Sequence, residues 1–187
     1  LSEGNAAKAR EYYEIFGEGA KEMDDADLFY AGSVMYSTGD YKGAVDKFSR
    51  MTSRADSIGQ IANYEMAYSY IKTGNKVAAM DAFKAASSQP WNEDIREDAH
   101  FNYAKLSFDL NNNPSVFNEY MKAYPGKKKD DIIYGYIALA CLYGHDYAAA
   151  VDAYSNIDLL DSRQKVNYMK ANYLRAHQLI EGGGWRD

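Results

Sequence analysis

The sequence predicts an all-α protein, a solenoid built from antiparallel helical hairpins. Three observations predict this fold: segments that align about every 35 residues, turns made of glycine followed by Asn or Asp, and small and aromatic residues at fixed places in each repeat. A period near 34 residues is typical of a helix–turn–helix repeat rather than of a propeller blade or a leucine-rich repeat.

The turns set the period. Asp40 and Asn75 are 35 residues apart, Asn75 and Asn112 are 37 apart, and Asn112 and Asp146 are 34 apart; 35 residues before Asp40 lies Asn5. Asn and Asp accept a backbone N–H bond at the start of a helix, and glycine adopts the left-handed conformation that ends one. The residues that precede the capping positions are Gly4, Gly39, Gly74, Asn111 and the pair Gly144-His145.

Packing positions recur inside each hairpin. The first helix carries a tiny residue at Gly32, Ala67, Ala104, Ala138 and Ala171. The second helix carries a small or β-branched residue at Ala9, Ala44, Ala79, Val116 and Ala150, and an aromatic four residues later at Tyr13, Phe48, Phe83, Tyr120 and Tyr154. Three residues further on come Phe16, Met51, Ala86, Ala123 and Ile157. These spacings put one face of the second helix against the first, so we predict that Phe48 and Phe83 are buried within their hairpins.

Ten helices are expected, at 5–16, 25–38, 41–53, 57–73, 76–88, 92–110, 113–124, 130–143, 147–158 and 162–180. Together they form one repeat domain over residues 1–187. Its parts are the second helix of a truncated repeat (4–16), four repeats (25–56, 57–91, a divergent one at 92–126, and 129–160), a terminal helix (162–181) and a flexible tail (182–187). Because the first helix is half a repeat, we expect the sequence to be a fragment of a longer chain.

The pattern resembles the tetratricopeptide repeat (TPR) family. The best matches are Gly39-Asp40-Tyr41, Ala44 and Phe48, followed by Asn75, Ala79, Phe83, Ala86 and Pro90. The resemblance implies a right-handed solenoid whose first helices line a concave groove that holds a protein or peptide. Val116 in place of alanine, and the absence of the usual tryptophan, resemble the divergent repeats of bacterial cell-envelope proteins. That narrower resemblance implies a periplasmic or cell-envelope location, and a cytoplasmic one stays open.

Composition excludes several classes of function. The net charge of −6 argues against a nucleic-acid surface, and the one basic run, 127–129, is followed at once by Asp130 and Asp131. No apolar stretch reaches the roughly 18 residues of a membrane span. The single cysteine, Cys141, excludes an intrachain disulfide and is expected to be a small buried hydrophobe.

No catalytic constellation is found, so we expect a protein that is not an enzyme and needs no metal or cofactor. His100, His145 and His177 lie in different repeats without metal-ligand spacing, and His145 is expected in a turn. The acidic residues at 93, 94, 97 and 98 begin a helix, where carboxylates complement the positive end of the helix dipole.

One stripe of each first helix is free of the crossing positions, and we expect it to face the groove. The candidate partner-binding residues are Phe29, Ser33, Tyr36, Tyr64, Tyr68, Phe101, Lys105, Phe108, Tyr168, Asn172 and Arg175. Tyrosine and phenylalanine supply large contact areas with few rotatable bonds. The same residues could instead pack between neighbouring repeats, which would suit a structural spacer within a larger envelope protein. The partner's identity is open; exposed terminal helices would also suit a homodimer.

Overall fold

The structure is a computed structural model that describes residues 23–111, 113, 115–125 and 131–182. Within these ranges every regular element is a helix, which confirms the all-α prediction. The helices are α1 (Asp25–Ser37), α2 (Tyr41–Arg50), α3 (Ser57–Thr73), α4 (Lys76–Ser87), α5 (Glu93–Asn111), α6 (Ser115–Ala123), α7 (Asp131–Tyr143), α8 (Tyr147–Ser155) and α9 (Ser162–Glu181). Each boundary lies within about three residues of its predicted place. The predicted helix 5–16, Gly4, Asn5, Asn112, the basic run 127–129 and the tail from residue 183 lie outside the described residues.

Three hairpin turns share one conformation. The turn residue has a positive φ in each: 85° at Gly39, 84° at Gly74 and 62° at His145. The next backbone N–H donates to the carbonyl five residues earlier, namely Asp40 to Met35 at 2.8 Å, Asn75 to Tyr70 at 2.9 Å and Asp146 to Cys141 at 2.9 Å. This bond is the mark of a Schellman-type helix end. The sequence prediction of a turn residue at His145 is therefore confirmed, with histidine taking the place that glycine has in the other two turns.

The residue after each turn caps the following helix, as predicted. The side chains of Asp40, Asn75 and Asp146 accept the backbone N–H three residues on, at 3.0, 3.2 and 3.0 Å. Such a cap contributes about 1 kcal/mol to helix stability. The short side chains thus satisfy backbone donors that the start of a helix leaves without partners.

The chain divides into two compact units between Leu106 and Ser107, inside α5. In the first unit α1 packs on α2, α2 on α3 and α3 on α4, while α1 also contacts α3. Phe83 is fully buried among Ala67, Ala79 and Ala86. Its counterpart Phe48 is 4% exposed, which confirms that both aromatic residues are buried.

Gly32 shows why the crossing position must be tiny. A Cβ built on Gly32 would lie 2.6 Å from a ring carbon of Phe48. The backbone of α1 therefore approaches the aromatic ring of α2 more closely than any larger residue allows. Ala67 occupies the same place in the next hairpin and is fully buried.

In the second unit α7 packs on α8, α8 on α9, and α7 also contacts α9. The ring of Phe117 in α6 lies edge-on to Phe108 at 6.1 Å and stacks on Tyr136 at 6.0 Å. Ala138, Ala150, Tyr154 and Ala171, all predicted packing residues, are buried.

Two predicted packing positions differ from the rest. Ala123 is exposed because it is the last residue of α6. Met51 is only partly buried because it follows the last residue of α2 and its backbone is extended.

Cys141 is buried, as expected, and burial raises the pKa of its thiol to about 11. It is therefore protonated near neutral pH and a weak nucleophile.

Among the described helices none combines the length and apolar character needed to cross a bilayer. The same part of the chain contains no group of three or more His, Cys, Asp or Glu side chains arranged to hold a metal ion.

Candidate partner-binding face

Two predicted partner-binding residues, Tyr64 and Tyr68, lie side by side on α3. Their rings meet edge-on at 5.1 Å, and both rest against the buried ring of Phe83, at 6.3 and 5.1 Å. Both side chains are partly buried. Each tyrosine therefore has one side fixed by the core of its hairpin while part of its surface stays accessible.

Asp98 of α5 holds the two tyrosines in place. Its Oδ2 accepts the hydroxyl of Tyr64 at 2.8 Å, the hydroxyl of Tyr68 at 2.7 Å and the amide of Asn102 at 3.0 Å. We call these four residues the tyrosine cluster. Burial and the neighbouring carboxylate raise the pKa of Tyr68 to about 12, and they raise the pKa of Tyr64 as well. Both phenols therefore stay protonated and donate to Asp98 at neutral pH.

Ser33 and Tyr36 lie on α1, next to this cluster in the first unit. Ser33 is buried, and its hydroxyl donates to Glu65 of α3 at 2.6 Å. Burial raises the pKa of Glu65 above its usual value. Burial, and then the charge of Glu65, also raise the pKa of the partly buried Tyr36. Ser33 thus joins α1 to α3 and has little surface to offer a partner.

The remaining candidates in the first unit are Phe29, Phe101 and Lys105, and all three are partly buried. The ring of Phe29 lies 6.5 Å from that of Phe48 and 5.7 Å from that of Tyr30. Phe29 therefore contacts the buried ring of Phe48 in the first hairpin, as Tyr64 contacts the buried ring of Phe83 in the second.

The candidates in the second unit differ in exposure. Phe108 is only 5% exposed. Tyr168 is partly buried, with its ring 5.7 Å from that of Tyr154, and Arg175 is partly buried too. Asn172 is exposed and donates its side-chain amide to the carbonyl of Tyr168 at 2.9 Å. The structure thus leaves contact surface at Tyr168, Asn172 and Arg175 and little at Phe108.

A cleft of about 450 Å³ opens in the second unit. Its walls come from the end of α5, from α7 and from the first turns of α9. Gly135 lies in its lining, beside Leu139 and Tyr136. We call it the Gly135 cleft.

Sequence reasoning missed Asp98, Asn102 and Glu65 as members of this face. From the sequence, Asp98 is expected only to complement the helix dipole, since it follows three other acidic residues at the start of α5. The spacing along the sequence is the signal that could have identified them. Tyr64 donates a hydrogen bond to Asp98, and Asn102 donates one to Tyr68, each across 34 residues. Ser33 donates one to Glu65 across 32 residues. A polar residue one repeat period from another is therefore a candidate partner for it.

Replacing Glu65 with glutamine should raise the melting temperature at pH 7. A carboxylate whose folded pKa is raised favours folding while it is protonated, below its unfolded pKa, and that contribution is lost as the pH rises through the folded pKa. Glutamine keeps an oxygen for Ser33 without the desolvated charge. The gain should shrink as the pH falls toward 4, where Glu65 itself becomes neutral. Scanning calorimetry of both proteins from pH 4 to 8 checks this; a gain that is equal at both ends would contradict it.

The face offers aromatic surface, hydroxyls and two carboxyl groups. Three donors meet the Oδ2 of Asp98, and Ser33 donates to the Oε2 of Glu65. Comparison with family models, with curated proteins and with solved structures gave no match to the chain.

Proposed function

We propose that the chain is a TPR-like solenoid that holds a segment of a partner protein against its first helices. Two observations support the repeat: the three hairpin turns share one conformation, and one hydrogen bond recurs at the same place in two hairpins. Asp25, at the start of α1, accepts the backbone N–H of Thr52, and Asp131, at the start of α7, accepts that of Asp158. Both bonds span 27 residues and tie the loop after the second helix to the start of its hairpin.

The tyrosine cluster carries the functional part of the proposal. Asp98 fixes two adjacent aromatic side chains that remain partly accessible, so their rotamer freedom is already lost before a partner arrives. Rigid tyrosines of this kind dominate many protein interfaces because they bury large areas at a low entropic cost. Three further partly buried aromatic residues lie on first helices, Phe29 and Tyr36 on α1 and Phe101 on α5.

The alternative is a spacer that binds nothing along this face. Its support is that Tyr64 and Tyr68 also pack on Phe83 and so contribute to the hairpin's own stability. The two functions differ in whether a partner occupies the first helices in the cell, which cross-linking can determine.

A photo-crosslinking amino acid such as p-benzoylphenylalanine should be placed at Phe101 or Tyr168 on first helices. Matched controls place it at Asp81 or Asp152, exposed residues of α4 and α8. In cells that produce the protein we expect one and the same partner band from the first-helix positions and no such band from the controls. Equal labelling from both sets, or no specific band from either, would favour the spacer.

A further inference from the structure

The carboxyl group of Asp98 uses only one of its two oxygens inside the tyrosine cluster. Its Oδ2 accepts from Tyr64, Tyr68 and Asn102 at distances between 2.7 and 3.0 Å. Among the described residues no donor reaches Oδ1, and this oxygen is not one of the side-chain atoms that are buried without a partner. Asp98 is itself only partly buried. Its second oxygen can therefore accept a hydrogen bond from a group outside the chain.

Two partly exposed aromatic rings point their hydroxyls at the same carboxyl group. The rings of Tyr64 and Tyr68 lie edge-on at 5.1 Å, and both hydroxyls bond to Oδ2 of Asp98. The face of an aromatic ring is electrostatically negative and attracts a cation that comes within about 6 Å of its centre. A carboxylate flanked by two such rings is an arrangement that suits a cationic side chain.

The charged groups that act on these rings are acidic. Burial raises the pKa of Tyr36, Tyr64 and Tyr68, and the charge of Asp98 raises each of them further. At Tyr36 the charge of Glu65 is the largest cause after burial. The electrostatic surroundings of the three tyrosines are therefore negative.

The lysines of the same helices lie further along. Lys72 comes one turn after Tyr68 on α3, and Lys105 comes two turns after Asp98 on α5, about 10 Å along the helix axis. In the part of the chain that the structure describes, no ion pair includes Asp98. The carboxylate therefore has no cation paired with it there.

The first and second helices of the first unit also differ in overall charge. The first helices, with α5 taken to Leu106, carry seven acids against three basic residues: Asp25, Asp27, Glu65, Glu93, Asp94, Glu97 and Asp98 against Lys72, Arg96 and Lys105. The second helices carry five basic residues against two acids: Lys42, Lys47, Arg50, Lys76 and Lys84 against Asp46 and Asp81. A basic segment is therefore attracted to the first helices and repelled by the second.

We propose that the tyrosine cluster receives an arginine side chain from a basic segment of the partner protein. The guanidinium donates to Oδ1 of Asp98 and lies against the rings of Tyr64 and Tyr68. Arginine fits this place better than lysine, because its planar guanidinium both bonds a carboxylate and stacks on aromatic rings. This inference rests on the proposed function, which it deepens by naming the chemistry of the partner's anchor.

Three small probes test it with the whole chain: the N-acetyl N′-methylamide derivatives of arginine, citrulline and lysine. Citrulline has nearly the shape of arginine but no charge. By NMR titration at low ionic strength we expect the arginine probe to bind with a Kd on the order of 5 mM, since it supplies a single anchor. The lysine probe should bind at least about threefold more weakly, and the citrulline probe should not saturate. The signals that shift should belong to α3 and α5.

Three results would overturn the proposal: equal binding of the arginine and citrulline probes, lysine binding as tight as that of arginine, or no binding of the arginine probe.

Variants locate the site. Asp98→Asn keeps an oxygen for the tyrosine hydroxyls and removes the charge, so it should weaken the arginine probe at least about fivefold. Its matched control, Asp81→Asn on an exposed part of α4, should not. If Asp98→Asn does not fold, as judged by circular dichroism, Glu65→Gln serves instead. It removes the acid next to Tyr64 and should weaken the probe at least about twofold. Unchanged binding in the folded variant would overturn the proposal.

The outcomes separate this inference from the proposed function. A partner cross-linked at Phe101, together with an arginine probe that does not bind, would leave the proposed function standing and remove the anchor. An arginine probe that binds as expected, together with no cross-linked partner, would leave the cluster as a site and remove the scaffold function.

Discussion

Replacing Phe83 with alanine is expected to lower the free energy of unfolding by about 3–5 kcal/mol. Phe83 is fully buried, and its core cluster includes Ala67, Ala79 and Ala86, whose side chains cannot extend to fill the space. The change also removes the ring on which Tyr64 and Tyr68 rest. The loss therefore combines the removed apolar contact with the space that the alanines leave unfilled.

Urea unfolding followed by circular dichroism measures this loss. The matched control is Tyr173→Ala, which removes an aromatic ring that is 70% exposed and should change the stability by less than about 1 kcal/mol. A loss below about 1 kcal/mol for Phe83→Ala would show that the helices of this hairpin do not pack in the register described.

Replacing Gln60 with leucine should lower the free energy of unfolding by about 2–5 kcal/mol. The side chain of Gln60 is fully buried near the start of α3. Its Nε2 donates to the carbonyl of Gln89 at 2.7 Å, and its Oε1 accepts the backbone N–H of Asn92 at 2.7 Å. Leucine has a similar size but no polar atom, so it would leave both partly buried backbone groups without the Gln60 side chain as a partner.

Gln178→Leu is the control, because Gln178 is exposed on α9 and should change stability by less than about 0.5 kcal/mol. Gln60→Leu should also speed amide exchange in the connection at 88–92, which Gln60 holds against α3. A variant as stable as the parent, with unchanged exchange in that connection, would contradict the role assigned to Gln60.

The helices and their turns could be predicted from the sequence because both depend on local rules. A 3.6-residue period sets which positions are buried, and the pairs Gly39-Asp40 and Gly74-Asn75 give a helix end and a helix start within two residues. The sequence predicts that α2 ends at residue 53, three residues after its actual end at Arg50. No glycine or other helix-ending residue marks the extended backbone at Met51.

The polar contacts between helices could not be predicted in the same way. Asp98 is one of four acidic residues at the start of α5, and only the packing of α5 against α3 distinguishes it from the other three. Glutamine is usually an exposed residue on a helix, yet Gln60 is fully buried. The amide of Gln164 lies beside Gly135 because its oxygen accepts a capping bond from Asp161, a contact that residue type alone does not predict.

Hydrogen–deuterium exchange with and without the cross-linked partner tests the central claim most directly. If the first helices form the binding face, bound partner should slow amide exchange in α1, α3 and α5 and leave α2 and α4 unchanged. In the second unit the slowing should fall on α7 and α9 rather than on α8. Slower exchange confined to α2, α4 and α8, or no change in any helix, would contradict the account.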